Sequence, residues 1–345
     1  MITRQESNPT RTATIDDVSQ LIGHTPMMQI DYRFDGQSRR LFAKYEQANM
    51  TGSVKDRMAE FILRKAYAGG ELKLGDTIVE ASSGNTGISF AAIGRALGHP
   101  VRIYMPNWMS QERVRLIQSL GAEIVPVSAE QGGFLGSIEL CENYATEHEN
   151  VFLPRQFDNP VNIVAHYEST GPEIERQLAA FGLKADAFVA GVGTGGTVMG
   201  VGRYLRRNGA TVKVHPLEPA NSPTLRTGCK VGDHRIQGIS DEFIPSIVDL
   251  SETDEVVDSW DGDAILMAQM LCSQLGLAVG ISSGANFLGA AHLLEQMGPE
   301  ATVVTILPDC NKKYLSTDLC RNEPIGEDYL TPRIELDKFR AIRGV

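Results

Sequence analysis

Residues 77–105 read TIVEASSGNTGISFAAIGRALGHPVRIYM. Thr77 to Ala81 is a short apolar run with β-branched residues, Asn85 to Leu97 carries helical spacing, and Val101 to Met105 is a second apolar run. Strand, helix and strand in that order make a crossover unit with parallel strands. The same alternation continues outward. Ser110 as a cap, Glu112 in the first turn, Ile117 and Leu120 on one face and Gly121 as a stop predict the next helix. Glu123 to Val127 then reads as a strand, and so do Ala187 to Ala190, Val212 to Pro216 and Thr302 to Leu307, with helices at about 196–208, 262–275 and 284–297. Buried strands covered by helices on both faces predict an α/β fold of the doubly wound kind.

Composition agrees. The chain has 345 residues, 42% of them hydrophobic, with 32 Lys and Arg against 43 Asp and Glu for a net charge of −11. That length suggests two domains or one large one, and the balance excludes collagenous, disordered and disulfide-scaffold chains. Excess negative charge repels nucleic acid and anionic membrane, so neither is expected as a partner. The five cysteines, Cys141, Cys229, Cys272, Cys310 and Cys320, are scattered with no CxxC pair, which fits a reducing cytoplasm and predicts no metal site. The opening MITRQESNPTRTATIDD lacks an apolar core for a signal peptide and reads as an arm leading into the fold.

Ligands of open α/β sheets sit at the carboxyl ends of strands, and two glycine-rich turns stand there. Ser82-Ser83-Gly84-Asn85-Thr86-Gly87 offers hydroxyls, an amide and free backbone N–H groups at a helix start, a site for a carboxylate or simply a helix cap. Gly191-Val192-Gly193-Thr194-Gly195-Gly196-Thr197 satisfies G-x-G-x-x-G, with Glu218 ending the next strand where a ribose-binding acid would lie. A dinucleotide and a terminal phosphate monoester both suit it; Thr194 and Thr197 favour the monoester. Lys55, in Asn49-Met50-Thr51-Gly52-Ser53-Val54-Lys55-Asp56-Arg57, opens a helix whose dipole disfavours a cation and lowers its pKa. An amine that gives up its proton easily can form a Schiff base.

The segments LIGHTPM, TGSVKDR, EASSGNTG, GVGTGGT, IQGISDEFIP, GISSG and KKYLST run in this order from Leu21 to Thr317. Together they closely resemble the cysteine synthase and cystathionine β-synthase family of pyridoxal-phosphate enzymes, fold type II. The resemblance implies two doubly wound α/β domains with pyridoxal 5'-phosphate in the cleft between them. The larger would comprise 1–54 and 160–345, and the smaller, mobile one 55–159. Lys55 matches the lysine that holds the cofactor and moves protons at Cα of the substrate. Gly193, Thr194, Gly195, Gly196 and Thr197 match the phosphate cup, which removes the dinucleotide alternative. Asn85 matches the partner of the ring hydroxyl. Ser82, Ser83, Asn85 and Thr86 match the loop that closes on the substrate carboxylate, with Gln156 as a further contact. Ser282 matches the partner of the pyridine nitrogen; a hydroxyl there leaves that nitrogen largely unprotonated and suits expulsion of a β-substituent. The implied reaction is β-replacement through an aminoacrylate intermediate, with cysteine made from O-acetylserine and sulfide. Release of hydrogen sulfide from cysteine, or cystathionine-type condensation with a second thiol, is the alternative. A cytoplasmic homodimer acting on an amino acid and sulfide or a thiol is expected, with no metal.

Three features depart from the commonest cysteine synthase form. His24 replaces an asparagine and is expected in a local turn or a dimer contact. Asp309 and Cys310 replace serines near the cofactor ring; Asp309 is not expected to reach the pyridine nitrogen. Ser240-Asp241-Glu242 replaces small residues at the mouth of the site, so Asp241 is either a solvated loop carboxylate or a base for an incoming water or thiol. The residues from about 318 onward lie outside the motifs, and the sequence leaves open whether they form a loose tail or wrap over a partner subunit.

Overall fold

The computed structural model describes residues 12–343. Helix α1 (Ile15–Ser19) precedes the hairpin of β1 (Met27–Phe34) and β2 (Gln37–Tyr45), and α2 (Lys55–Gly69) follows. Next come β3 (Thr77–Ala81), α3 (Asn85–Ala96), β4 (Val101–Pro106), α4 (Gln111–Ser119), β5 (Glu123–Val127), α5 (Gly133–Glu147) and β6 (Val151–Phe152). The chain continues through α6 (Val161–Glu168), α7 (Thr170–Ala179), β7 (Ala187–Gly191), α8 (Gly196–Arg206), β8 (Lys213–Pro219), α9 (Thr224–Thr227) and β9 (Val257–Ser259). It ends with α10 (Asp261–Leu275), α11 (Ile281–Met297), β10 (Val303–Leu307) and β11 (Ile334–Ile342).

These strands form two sheets. A four-stranded sheet in the order β5-β4-β3-β6 is parallel throughout, and a seven-stranded sheet runs β11-β1-β2-β10-β7-β8-β9. Successive side chains of a strand point to opposite faces, and the core divides accordingly. In β7, Ala187 and Val189 enter one apolar cluster while Phe188 and Ala190 enter another. Leu41 and Ala43 of β2 side with the first, Phe42 with the second. In the smaller sheet Ile103 and Met105 face one cluster and Tyr104 the other. Both faces of both sheets are therefore covered, the doubly wound arrangement expected from the apolar runs.

The larger sheet is mixed. The antiparallel hairpin β1–β2 joins it through a parallel pairing of β2 with β10, and β11 pairs antiparallel with β1 around a bulge at Asp31/Tyr32. The residues after 318 thus return to the sheet edge. Its charged residues, Glu335, Asp337, Lys338 and Arg340, are exposed, as suits an edge strand. The expected N-terminal arm lies outside the described residues up to 11; beyond it Thr14 caps α1, its hydroxyl accepting from Asp17 N at 3.2 Å while Asp17 accepts from Thr14 N at 2.9 Å. Ser110 does not cap α4: its hydroxyl donates to the Lys313 carbonyl at 3.2 Å.

Two features fix the helix that carries Lys55. Ser53 bridges to Asp309, and Val54 N donates to Pro308 O at 2.8 Å, so the residues just before α2 are stitched to the loop after β10. One turn on, buried Arg57 donates to Glu46 at 2.6 Å and to Glu173 at 2.8 Å, and buried Lys44 reaches Glu173 at 2.8 Å. Two cations and two carboxylates balance in the interior, where an unpaired charge would be costly.

Candidate active site

The turn after β3 closes on itself. Ser82 Oγ accepts from Gly84 N at 3.1 Å and from Gly87 N at 2.8 Å, so this hydroxyl is spent on shaping the loop. Ser83, Asn85 and Thr86 line a cleft with it. Thr86 donates to Gln156 Oε1 at 2.6 Å, and Gln156 Nε2 donates to Ala81 O at 2.8 Å. Beneath them Glu80 accepts from Ala81 N at 2.9 Å and Gln156 N at 3.2 Å, and burial pushes its carboxyl up to about 8.

The turn after β7 supplies the opposite wall. Gly195 has φ +85°, which L side chains rarely adopt, and a methyl group on Gly193 would come within 2.5 Å of the Gly238 carbonyl. Thr194 Oγ1 accepts from Asn162 Nδ2 at 2.9 Å, and the Thr197 hydroxyl pairs with His166 Nε2 at 3.2 Å. Burial and then the Arg57 charge take His166 down to about 3, leaving it neutral. Backbone N–H groups at the start of α8 and hydroxyls, with no cation of their own, form this end of the cleft.

Lys55 lines the cleft as the first residue of α2 and makes no hydrogen bond or ion pair among the described residues. Its pKa lies below the ordinary lysine value, as expected, but the leading cause is burial; Asp309 and Asp241 oppose it and Lys313 adds to it. Asp241 stands on the same wall. The residue before it, Ser240, is held at φ +55° by four bonds: its N donates to Val192 O at 2.7 Å, its hydroxyl reaches Ser222 O and Thr224 Oγ1, and its carbonyl meets His234 Nε2 at 2.8 Å. This kinked backbone turns Asp241 into the cleft, where burial raises its carboxyl to about 7 against the pull of Lys55, with Glu242 adding to the rise. Asp241 thus lines the cleft while remaining partly exposed.

Of the other residues singled out, Gly193 and Thr194 line the cleft, while Gly195, Gly196 and Thr197 form the turn behind them. Ser282 is buried near the start of α11 and is not on the cleft wall. Asp309 is fully buried, with Oδ2 accepting from Asn85 Nδ2 and Tyr314 OH and Oδ1 lacking a partner. His24 is in a local turn at φ +47°, its N donating to Glu173 at 2.9 Å. Glu218 accepts from Leu225 N and pairs with Arg226, away from the glycine turn. Sequence reasoning missed Arg113, Phe134, Phe157 and Tyr314 on the wall. Phe134, Phe157 and Phe243 pack edge to face, and only their shared aromatic character hinted at an apolar side to the cleft.

A family model described as pyridoxal-phosphate dependent enzyme matches residues 18–309. The chain belongs to that family. A Staphylococcus aureus cysteine synthase is 38% identical over 305 residues, spanning 88% of this chain and 97% of the relative. A hydrogen sulfide-producing enzyme from Fusobacterium nucleatum is 53% identical, with a TM-score of 0.93 over 95% of this chain and 98% of that one. A variant of that enzyme has been solved in complex with an alpha-aminoacrylate intermediate. An O-acetylserine sulfhydrylase from Entamoeba histolytica is 35% identical at a TM-score of 0.80, over 96% and 98% of the two chains.

The residues present fit the cofactor. A pyridoxal-phosphate enzyme needs a lysine free of other bonds, and Lys55 is one. It needs a cup for the phosphate, and the glycine turn supplies backbone N–H groups at the start of α8, with Gly193 and Thr194 on the cleft wall. Asn85 Oδ1, buried and without a partner among the described residues, remains available on the facing wall for a ring substituent.

Proposed function

We propose that this pyridoxal-phosphate dependent enzyme replaces the β-substituent of a small amino acid, and that it releases hydrogen sulfide from cysteine with water as the incoming nucleophile. The observation that carries this reading is Asp241, a half-buried carboxyl raised to about 7 that shares the cleft with Lys55. Likeness to the sulfide-producing Fusobacterium enzyme supports it. Cysteine synthesis from O-acetylserine uses the same site with sulfide as nucleophile, and the cysteine synthase relatives support that direction.

Pyridoxal phosphate, when bound to an amino acid, acidifies the Cα–H bond and lets a β-substituent leave. The chain's own residues do the rest. Backbone N–H groups at the start of α3, with Ser83, Asn85 and Thr86, hold the α-carboxylate, and Gln156 fixes Thr86. The glycine turn at α8 anchors the phosphate. Lys55, whose pKa burial lowers, takes the proton from Cα and later returns it. Asp241 accepts a proton from water as its oxygen bonds to Cβ, so that cysteine and water give serine and hydrogen sulfide. The apolar wall of Phe134 and Phe157 limits how many waters share the cleft.

A smaller mobile domain of residues 55–159, a homodimer and a cytoplasmic setting belong to the same reading. The test is a product assay with cysteine, serine and O-acetylserine, each with and without sulfide. Equal amounts of sulfide and serine from cysteine are expected. Pyruvate and ammonia in place of serine, or cysteine formation with no sulfide release, would overturn the water-replacement reading.

A further inference from the structure

Arg113 is, besides Lys55, a cation of this cleft that no carboxylate answers among the described residues. It lies on α4, is only 3% exposed, and makes no ion pair among the described residues. Its guanidinium lies over the Tyr314 ring with CZ 4.7 Å from the centroid, and Nη1 donates to Gln237 Oε1. Nε is buried with no partner. A charge removed from water without a counter-charge is unfavourable, and neither a ring face nor a neutral amide replaces one.

Position narrows what the missing anion is. Arg113 touches the carboxylate loop: a β-carbon built on Gly84 would stand 2.7 Å from Arg113 Nε. Both line the cleft with Ser83, Asn85 and Thr86. The charge inventory of the cleft points the same way. Asp241 lines the same cleft, and the cofactor would bring a phosphate. An amino acid's α-carboxylate entering there finds favourable charge at the α3 N-terminus and at Arg113.

Resting on the reading that the cleft takes an amino acid, we propose that Arg113 is a further substrate-binding residue, supplying the positive charge for the α-carboxylate at the Gly84 side of the loop. Hydroxyls and N–H groups orient that carboxylate; the guanidinium makes a charged end preferable to a neutral one. Gln237 and Tyr314 position the guanidinium and leave Nε for the ligand.

The test needs no turnover. The holoenzyme is titrated with L-alanine and with L-alaninamide, which differ in having a carboxylate or a neutral amide and carry no β-substituent to lose, and binding is read from the shift in cofactor absorbance. The wild type is expected to bind alanine at least about 10-fold more tightly relative to alaninamide than Arg113→Gln does, the scale of a hydrogen bond to a charged group. Arg113→Lys is expected to retain much of the preference. If Arg113→Gln does not load cofactor, Arg113→Met, which keeps the packing against Tyr314, gives the same comparison. An unchanged ratio in the variants, or equal weakening of both ligands, would overturn the role. Absent sulfide release with an intact alanine preference would instead sink only the proposed reaction.

Discussion

The side-chain amide of Asn85 donates to Oδ2 of Asp309 at 2.8 Å, and the Tyr314 hydroxyl donates to the same oxygen at 2.6 Å. One buried carboxylate thereby ties the carboxylate loop at the head of α3 to the loop that follows β10. Removing it strands two donors. Asp309→Ala is expected to lower the unfolding free energy by about 2–6 kcal/mol, at roughly 1–3 kcal/mol for each donor left unmade. Asp309→Asn, which keeps an accepting oxygen, should lose less. Urea unfolding of the holoenzyme forms makes the comparison.

Asp241 titrates near pH 7, and its base form fills as pH rises through that value. Sulfide release from cysteine is therefore expected to climb between about pH 6 and 8 as the carboxylate becomes able to accept a proton. Asp241→Asn should flatten that limb and reduce kcat/KM by about 10²–10⁴, the range of a lost general base. Cysteine formation from O-acetylserine, whose nucleophile arrives already anionic in part, should fall far less. Equal losses in both assays would remove the special role.

Glu80 shows the opposite use of a raised carboxyl. The unfolded chain loses this proton near 4.5, whereas burial holds it in the folded state up to about 8. Between those values the native state binds more protons than the unfolded one, so stability falls as pH rises from about 5 to 8. Glu80→Gln removes this group's share of the slope, at most about 1.4 kcal/mol per pH unit. Urea midpoints of the two proteins across that range should converge at low pH and diverge at high pH, with the variant the more stable at the alkaline end.

Gly193→Ala places a methyl group 2.5 Å from the Gly238 carbonyl, a backbone atom that cannot swing aside. At about 1–3 kcal/mol for overpacking, the affinity for pyridoxal phosphate is expected to drop roughly 10-fold or more. Equilibrium dialysis against the cofactor, followed by its absorbance, reads this directly. A variant that loads like the wild type would show that the turn has slack.

The parallel strands were legible because burial on both faces makes each a continuous apolar run. The hairpin β1–β2 and the edge strand β11 were not, since Arg33, Arg39, Arg40, Asp337 and Lys338 break those runs with side chains that find solvent or ion pairs. Lys55 and the two glycine turns could be read because each is local, a few residues between a strand and a helix. Arg113 could not. In MSQERV it has the pattern of a solvated helix face, and only the approach of Gln237, Tyr314 and Gly84 from distant segments buries it. Asp241 was visible as an oddity of composition, but its burial depends on the left-handed Ser240, whose conformation is set by Val192, Ser222 and Thr224.

The pairing of β2 with β10, and of Ser53 with Asp309, has a consequence for how the enzyme comes to exist. Synthesis delivers Lys55 long before the strand that frames it and the carboxylate that anchors its loop. Contacts so far apart in sequence are slow to form and cannot precede their own second half. A nascent chain halted before β10 would carry the lysine without the strand and carboxylate that hold its loop, so a firm grip on the aldehyde cofactor has to wait for that later segment.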